Sequence, residues 1–226
     1  MGRVCEFQKQ LKACDDFFWV ADSALYVPDK LLACSDINWL SRVPENIKAC
    51  SNLVSVPSRD VQWTQGSNGY EWAEVCSNHG AIRQRWLLVF SQQAYERESK
   101  TLMRRIAKEE AECLKACRHL DKHVFGCLSD AEKHVIQLNK KYHYHVLETS
   151  FEAIEKYECR GRPNPSTPKV LAGYQVICTV QKNEERITNV LNKKGRFVLA
   201  TNQLNQEELP AEKILTQYKE QQSVEG

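Results

Sequence analysis

The chain has 226 residues, of which 42% are hydrophobic and 27% charged, as is ordinary for a globular protein that buries a core. Its net charge of +2 is too small to attract nucleic acid as a whole, so any such surface needs a local concentration of Lys and Arg. No apolar run approaches the roughly 20 residues that span a bilayer, and the N-terminus lacks a signal core. We therefore expect a cytoplasmic protein without a membrane partner.

Ten cysteines are scattered along the chain without a secretion signal or a Cys-X-X-Cys pair. This spacing is not that of a disulfide framework, a zinc ribbon or a zinc knuckle. We expect reduced cysteines in the cytosol, used as small buried thiols.

The first predicted elements form a β-α-β unit. The continuous apolar run 17–21 predicts a strand buried on both faces, and it ends at Asp22. A short helix is expected over 24–34, a second strand over 37–43 and another short helix over 45–50. This order predicts neighbouring parallel strands in an α/β sheet.

The middle of the chain has a different pattern. Strands are predicted over 70–76 and 82–90, with the turn-forming segment 77–80 between them. A long helix is predicted over 91–125, because apolar residues recur there at steps of three, four and seven. A capping-box pattern at Ser129 predicts a second helix, so that the two helices form a hairpin.

The last third of the chain returns to alternating strands and helices. A proline-rich loop over 159–169 is followed by a strand over 174–180 and a short helix over 184–191. A strand over 197–201 and a helix that begins near Pro210 complete the pattern. An α/β core at both ends of the chain, with a different block between, predicts a domain interrupted by an insertion.

Asp22 stands at the end of the first predicted strand. A strand fixes such a carboxylate while the next loop leaves room for a metal, and hard oxygen donors suit Mg²⁺ or Mn²⁺. Two such ions activate water or a DNA 3′-hydroxyl and stabilise the leaving oxygen in phosphoryl transfer. The alternative is that Asp22 only caps the following helix.

The surroundings of Asp22 resemble the second-aspartate region of insertion-sequence DDE transposases. The matching residues are Trp19-Val-Ala-Asp22-Ser-Ala-Leu-Tyr26 and then Trp39-Leu-Ser-Arg42-Val43-Pro44-Glu45. The stretch Gln84-Arg-Trp-Leu-Leu-Val-Phe-Ser-Gln-Gln-Ala-Tyr95 is also similar to the insertion of one branch of this family.

The end of the chain, from Arg196 onwards, is similar to the third-carboxylate region of the same family. The family has a helical signature of Tyr, two residues, Arg, three residues, Glu, six residues and Lys. Tyr218 and Glu225 have the required separation, whereas Gln221 occupies the usual Arg position. The position of the Lys would lie beyond Gly226.

The resemblance implies DNA transposition by two-metal phosphoryl transfer. Asp22 and Glu225 match the second and third carboxylates, which bind Mg²⁺ or Mn²⁺, and Tyr218 is the other catalytic position that matches. The implied fold class is mixed α/β, with a partial RNase-H-like core interrupted by a β-hairpin and long helices. The expected domains are the core with the second Asp at 1–49, the insertion at 50–195 and the return to the core at 196–226.

The family's first aspartate lies on an earlier strand, and Asp15 and Asp16 are too close to Asp22 to come from a separate strand. We therefore expect a transposase fragment that is inactive alone in Mg²⁺-dependent strand cleavage. Its expected partners are transposon-end DNA and a second copy in a homodimer, with no small-molecule substrate. The alternative is a non-catalytic DNA-binding or protein-interaction module that modulates an intact transposase.

Basic residues outside the catalytic signature are the candidate DNA contacts. Arg160-Gly-Arg162-Pro equals the core of an AT-hook, in which two arginines enter a narrow A·T minor groove. The alternative is an exposed basic turn that at most touches phosphate. Arg104 and Arg105 on the long helix are candidates for contact with phosphates or a dimer partner, or belong to a solvated face with i,i+4 pairs.

A cluster of potential zinc ligands lies near the end of the long predicted helix. A zinc site is one interpretation of this cluster. The simpler one is an apolar stripe that uses cysteine, with exposed histidines. The residues are Cys113, Cys117, His119, His123 and Cys127.

Overall fold

A computed structural model of the chain describes residues 18–21, 23–159 and 161–224. In this part of the chain the fold is mixed α/β, as expected, and no helix is long and apolar enough to cross a membrane. The strands are β1 (Trp19–Ala21), β2 (Trp39–Arg42), β3 (Thr64–Gln65), β4 (Tyr70–His79), β5 (Ile82–Ser91), β6 (Val124–Phe125), β7 (His145–Tyr157), β8 (Lys169–Lys182) and β9 (Arg196–Thr201). The helices are α1 (Pro28–Ala33), α2 (Lys48–Ser55), α3 (Gln92–Leu120), α4 (Leu128–Asn139), α5 (Glu184–Leu191) and α6 (Ala211–Val224).

The chain divides into two compact units. Unit 1 consists of Met1–Glu98 and Asn192–Gly226, and unit 2 consists of Ser99–Leu191. The borders between the two units lie inside α3 and after α5. The family-based borders at 49 and 195 stay a prediction.

Unit 1 is built on a six-stranded sheet in the order β1-β2-β9-β5-β4-β3. β1 and β2 are parallel, which confirms the predicted β-α-β unit, and the other neighbours pair antiparallel. Along β5, Trp86 and Leu88 lie in one core while Leu87 and Val89 lie in another. Because successive side chains of a strand point to opposite faces, this strand is buried on both sides, which explains its continuous apolar sequence.

The two faces of this sheet are covered by different helices. Leu31 of α1 and Val54 of α2 belong to the core on one face, and Ile214 of α6 belongs to the core on the other. The helix predicted over 24–34 is divided: residues Ser23–Leu25 form a 3₁₀ turn, and α1 begins at Pro28. Proline favours the first turn of a helix because its φ is already helical and it has no N–H to satisfy.

The hairpin of β4 and β5 turns more tightly than the sequence predicts. The residues 77–79 continue β4, and His79 pairs with Ile82, so the turn consists of two residues, Gly80 and Ala81. Their φ values of +63° and +61° are those of a type I′ turn, whose twist matches that of the two strands.

Unit 2 contains a three-stranded antiparallel sheet in the order β6-β8-β7. Two predictions are wrong here. α3 ends at Leu120 instead of continuing to 125, because residues of β6 pair with Tyr174 and Gln175 of β8. The predicted helical hairpin is not the core motif: residues of β7, which the sequence analysis left without a strand, form the long partner of β8, and both helices pack beside this sheet.

The predicted capping box at Ser129 does not form. α4 begins at Leu128, its N-cap is Cys127 in extended conformation, and no side chain caps it. Ala131 and Val135, four residues apart, bury one face of α4 in the core of unit 2, so packing decides where this helix begins.

One cysteine pair contradicts the expectation of reduced thiols. Cys117 of α3 and Cys178 of β8 form a disulfide across 61 residues of sequence, with 5.3 Å between their Cα atoms. The apolar stripe of α3 packs on the inward face of β8, which brings these side chains together. Cys50 and Cys113 are buried free thiols, as predicted for the cysteines in general.

A carboxylate of α3 organises the start of β7. Glu109 accepts hydrogen bonds from the backbone N–H groups of His143, Tyr144 and His145, at 2.6 to 3.0 Å. It also lies 3.1 Å from Nδ1 of the fully buried His145 side chain. Burial raises the pKa of Glu109, but these hydrogen bonds together outweigh burial and hold its pKa below the ordinary value.

Replacing Glu109 with glutamine is expected to lower the free energy of unfolding of unit 2 by about 2 kcal/mol at pH 7, because one oxygen that accepts buried donors is lost. A carboxylate with a depressed pKa stabilises the fold above its unfolded pKa, and that contribution disappears as the pH falls through the folded pKa. Urea unfolding should therefore show a smaller difference between native and Glu109→Gln chains at pH 4 than at pH 7. The exposed Glu112→Gln serves as control, and a pH-independent difference would contradict the prediction.

Candidate nucleic-acid interface and catalytic face

The parallel pair β1–β2 carries helix α6 on one face. Val20 of β1 and Leu40 of β2 share a core with Ile214 and Leu215 of α6. The helix α6 therefore packs as one layer against the layer of the two strands, and it contacts both of them. Asp22 follows β1 directly in the sequence, and Glu225 follows α6.

The direction of α6 follows from its contacts with β9 and its neighbours. The carbonyl of Leu209, just before α6, accepts a hydrogen bond from Arg85, which pairs with Thr201 at the end of β9. The ring of Tyr218 lies 5.9 Å from that of Phe197, near the beginning of β9. Because β9 is antiparallel to β2, α6 runs in the direction of β1 and β2 and ends at the sheet edge where both of these strands end.

Three of the predicted site residues, Asp22, Glu225 and Arg160, lie outside the described residues. Tyr218 is described, and it is buried against the sheet. Arg104 and Arg105 are exposed on the part of α3 that belongs to unit 2, and Arg162 is exposed in the loop between β7 and β8.

The segment that follows Asp22 is fixed by a buried polar network. The Tyr26 hydroxyl donates to Oε1 of Gln84, and Nε1 of Trp86 donates to the Tyr26 hydroxyl and to the same Gln84 oxygen, at 2.9 Å each. Nε2 of Gln84 donates to the His79 carbonyl at 3.0 Å. Burial raises the pKa of Tyr26, so its hydroxyl stays neutral and remains a donor. The network ties the turn after Asp22 to β5.

A polar cavity of about 250 Å³ opens beside Tyr218. Its lining comes from the end of β2, the starts of β4, α3 and β9, and the middle of α6, all in unit 1. We refer to it as the α6 cavity. Its polar and charged lining includes Arg42, Tyr70, Arg97, Glu98, Tyr218 and Lys219.

The α6 cavity is positively charged. The guanidinium of Arg42 lies 5.4 Å from the ring centre of Phe197, and Nζ of Lys219 lies 3.9 Å from that of Tyr70. Aromatic faces hold both cations in place, and Arg42 also forms an ion pair of 3.8 Å with the exposed carboxylate of Glu45. The carboxylate of Glu98 forms its ion pair with Lys194, at 3.8 Å from Nζ. Cations held on aromatic rings around a polar hollow suit a phosphate group.

Arg42 and Lys219 lie within the transposase-like segments, but the sequence analysis does not predict them as site residues. Arg42 ends β2, and the strand-end argument made for Asp22 applies equally to it because parallel strands end at the same edge. Lys219 follows Tyr218 in the signature helix. No sequence signal unites them with Arg97, because the three residues come from distant segments.

The zinc interpretation receives no support from unit 2. Cys117 is joined to Cys178, and Cys113 is buried in the same core. Among the residues that the structure describes, no three His, Cys, Asp or Glu side chains converge as metal ligands. His119 and His123 instead border an open hollow beside Phe125.

Comparison of the chain with protein-family models, curated proteins and solved structures found no match in any of the three.

Proposed function

We propose that the chain carries part of the active site of a DDE-type transposase that acts on DNA, with Asp22 and Glu225 as the second and third metal-binding carboxylates. The observation that carries this proposal is the direction of α6 on the parallel pair β1–β2. α6 runs in the same direction as β1, and the two elements end on the same side of the sheet. In the sequence one carboxylate follows the strand and one follows the helix, an order that suits a site of two carboxylates around metal ions.

The donor chemistry fits Mg²⁺ or Mn²⁺, because Asp22 and Glu225 would offer hard carboxylate oxygens. When bound, the ions activate the attacking hydroxyl and neutralise charge at the phosphate. The other residues of unit 1 have positioning tasks. Arg42 and Lys219 bind backbone phosphates of the DNA, and the network of Tyr26 and Gln84 holds the turn after Asp22.

A second candidate function is a non-catalytic DNA-binding module that modulates an intact transposase. The α6 cavity favours it, because its cations bind phosphate whether or not metal ions are bound nearby. The two candidates differ in their need for the carboxylates, and that difference can be measured.

Titration with Mn²⁺, followed by the loss of the free-ion electron paramagnetic resonance signal, tests the proposed metal site. The native chain is expected to bind Mn²⁺, and Asp22→Asn or Glu225→Gln is expected to lower the affinity at least tenfold, since even outer-shell changes cost about tenfold. The double variant should be little weaker than either single variant, because both residues serve one site. Asp36→Asn, an exposed acid of the same unit, is the control.

Binding that survives both single substitutions would contradict the metal site. If DNA binding nevertheless persists in that case, the non-catalytic module is the better description.

A further inference from the structure

β7 is the outer strand of the sheet in unit 2. In the described part of the chain it pairs along one edge only, with β8, from His145 to Tyr157. The other edge of such a strand presents backbone N–H and C=O groups that no neighbouring strand satisfies. The hydrogen bonds at the start of β7 show which of its residues present them.

Two side chains close the beginning of this outer edge. A carboxylate oxygen of Glu109 accepts a hydrogen bond from the backbone N–H of His145 at 3.0 Å. The side chain of Asn139 binds Leu147 as a neighbouring strand would. Its Nδ2 donates to the Leu147 carbonyl at 3.1 Å, and its Oδ1 accepts from the Leu147 N–H at 2.7 Å. Both groups of Leu147 therefore point away from β8, and because this direction alternates along a strand, the odd-numbered residues of β7 point outward.

Beyond Leu147 the outer edge is open. The N–H and C=O groups that point outward there have no hydrogen-bond partner among the residues that the structure describes. These groups belong to Thr149, Phe151, Ala153, Glu155 and Tyr157. We call the segment 149–157 the β7 edge.

The alternation along the β7 edge continues through the irregularity of the ladder. Ile154 pairs with Gly173 and Glu155 pairs with Leu171, so the extra residue, Ala172, belongs to β8. β7 itself has no extra residue. The N–H of Glu158 still donates across to the β8 side, to the Pro168 carbonyl at 3.0 Å, as an even-numbered residue should. The outward groups therefore form one regular row.

The β7 edge is accessible in the folded chain. Glu152, Ala153, Glu155 and Lys156 are exposed. Glu155 already forms an ion pair of 3.6 Å with Lys169 of β8. Glu152 and Lys156 form no ion pair with any described residue, and four residues along a strand separate them too far to pair with each other. One acid and one base are thus available to a partner strand.

This charge pattern is complementary to a second copy of itself. In an antiparallel pairing of two copies about a two-fold axis at Ile154, Glu152 of each copy lies opposite Lys156 of the other. Phe151 of each copy lies opposite Tyr157 of the other. Outward backbone groups then face outward groups, so about eight hydrogen bonds join the two strands. Opposite charges and aromatic rings that face each other across strands stabilise the pairing.

The other antiparallel registers are less favourable. A two-fold axis at Glu152 or at Glu155 places two carboxylates opposite each other, which is destabilising. An axis at Ala153 leaves Glu152 opposite Ile154 and Lys156 opposite Ser150, without a charge pair. A shift of the partner by one residue sets outward groups against inward ones and breaks the ladder. The charges therefore select the register centred on Ile154.

We propose that two copies of the chain associate through the β7 edge, antiparallel about Ile154, so that the two three-stranded sheets become one continuous sheet. Such an interface is isologous and closes with two copies. The expectation of a homodimer from the resemblance names no surface, and this one lies on a strand that the sequence does not predict. It requires neither DNA nor metal ions, so it is independent of the proposed function.

Sedimentation equilibrium of the full chain without DNA tests the β7 edge. The native chain is expected to form dimers. Glu152→Lys alone, or Lys156→Glu alone, places like charges opposite each other twice and should weaken association about tenfold. An equimolar mixture of the two variants should recover it, because one chain then has Lys at both positions and the other has Glu at both.

The matched controls are Glu132→Lys and Lys133→Glu, two exposed positions of α4 in the same unit, which should leave association unchanged. A native chain that stays monomeric up to its solubility limit would overturn the proposal. So would dimers that withstand both single substitutions, because the contact would then lie elsewhere, or folded variants whose mixture fails to associate. Circular dichroism of each variant verifies that unit 2 is folded. Failure of Mn²⁺ or DNA binding would affect only the proposed function.

Discussion

Replacing Gln84 with leucine is expected to lower the free energy of unfolding of unit 1 by about 3 kcal/mol, because one buried and one part-buried polar group lose a hydrogen-bond partner. The Tyr26 hydroxyl loses its acceptor and the His79 carbonyl loses a donor. Leucine fills a similar volume, so the loss reports hydrogen bonding more than packing. Urea unfolding followed by tryptophan fluorescence measures it directly, since Trp86 belongs to the network.

A double-mutant cycle sharpens this test. In Tyr26→Phe the hydroxyl is absent, so adding Gln84→Leu should cost less than it does in the native chain. The exposed Gln65→Leu on β3 is the control and should change stability by less than about 0.5 kcal/mol. Additive effects of the two substitutions would show that the residues do not act as one network.

Removing two positive charges of the α6 cavity, those of Arg42 and Lys219, is expected to weaken DNA binding on the order of 100-fold at low salt. Arg42→Ala and Lys219→Ala each remove a charge-assisted contact with phosphate, worth roughly 1.5 kcal/mol or about tenfold in affinity. The slope of log affinity against log salt should also fall by about 2, since each phosphate contact contributes about 0.9. The loss should be the same for all duplex sequences, because phosphates carry no sequence information.

The matched control for the cavity is Lys48→Ala with Lys213→Ala, two exposed cations of unit 1 that do not line it. It removes the same net charge. An equal loss of affinity in this control would show that general attraction, and not the cavity, binds the DNA. An unchanged dependence of affinity on salt in the cavity variant would likewise show that Arg42 and Lys219 do not contact phosphates.

The sequence predicts unit 1 better than unit 2 for a physical reason. The strand before Asp22, the β5 strand and the helix after Pro210 have apolar patterns that match their burial. In β7 only one face is buried, and its other face carries Glu148 and Glu152, so the strand has no strong apolar signature. Its identity comes from pairing with β8, which sequence periodicity does not encode.

The candidate site also has a part that the sequence predicts and a part that it does not. Asp22, Tyr218 and Glu225 follow from local segments that resemble a known signature. The α6 cavity does not, because Arg42, Arg97 and Lys219 meet only after the sheet and α6 have formed. The disulfide of Cys117 and Cys178 is another contact that depends on the folded arrangement.

The chain leaves unit 1 and returns to it at nearly the same place. Glu98, the last residue before unit 2, lies 3.5 Å from the backbone nitrogen of Gly195, and the carbonyl of Gly195 accepts a hydrogen bond from Ser91 at 2.8 Å. An intervening segment whose two ends meet can lengthen, shorten or change its content without altering the sheet. Unit 1 can therefore accept a different module between Glu98 and Gly195 while its own sheet, with β1, β2 and α6, keeps its geometry.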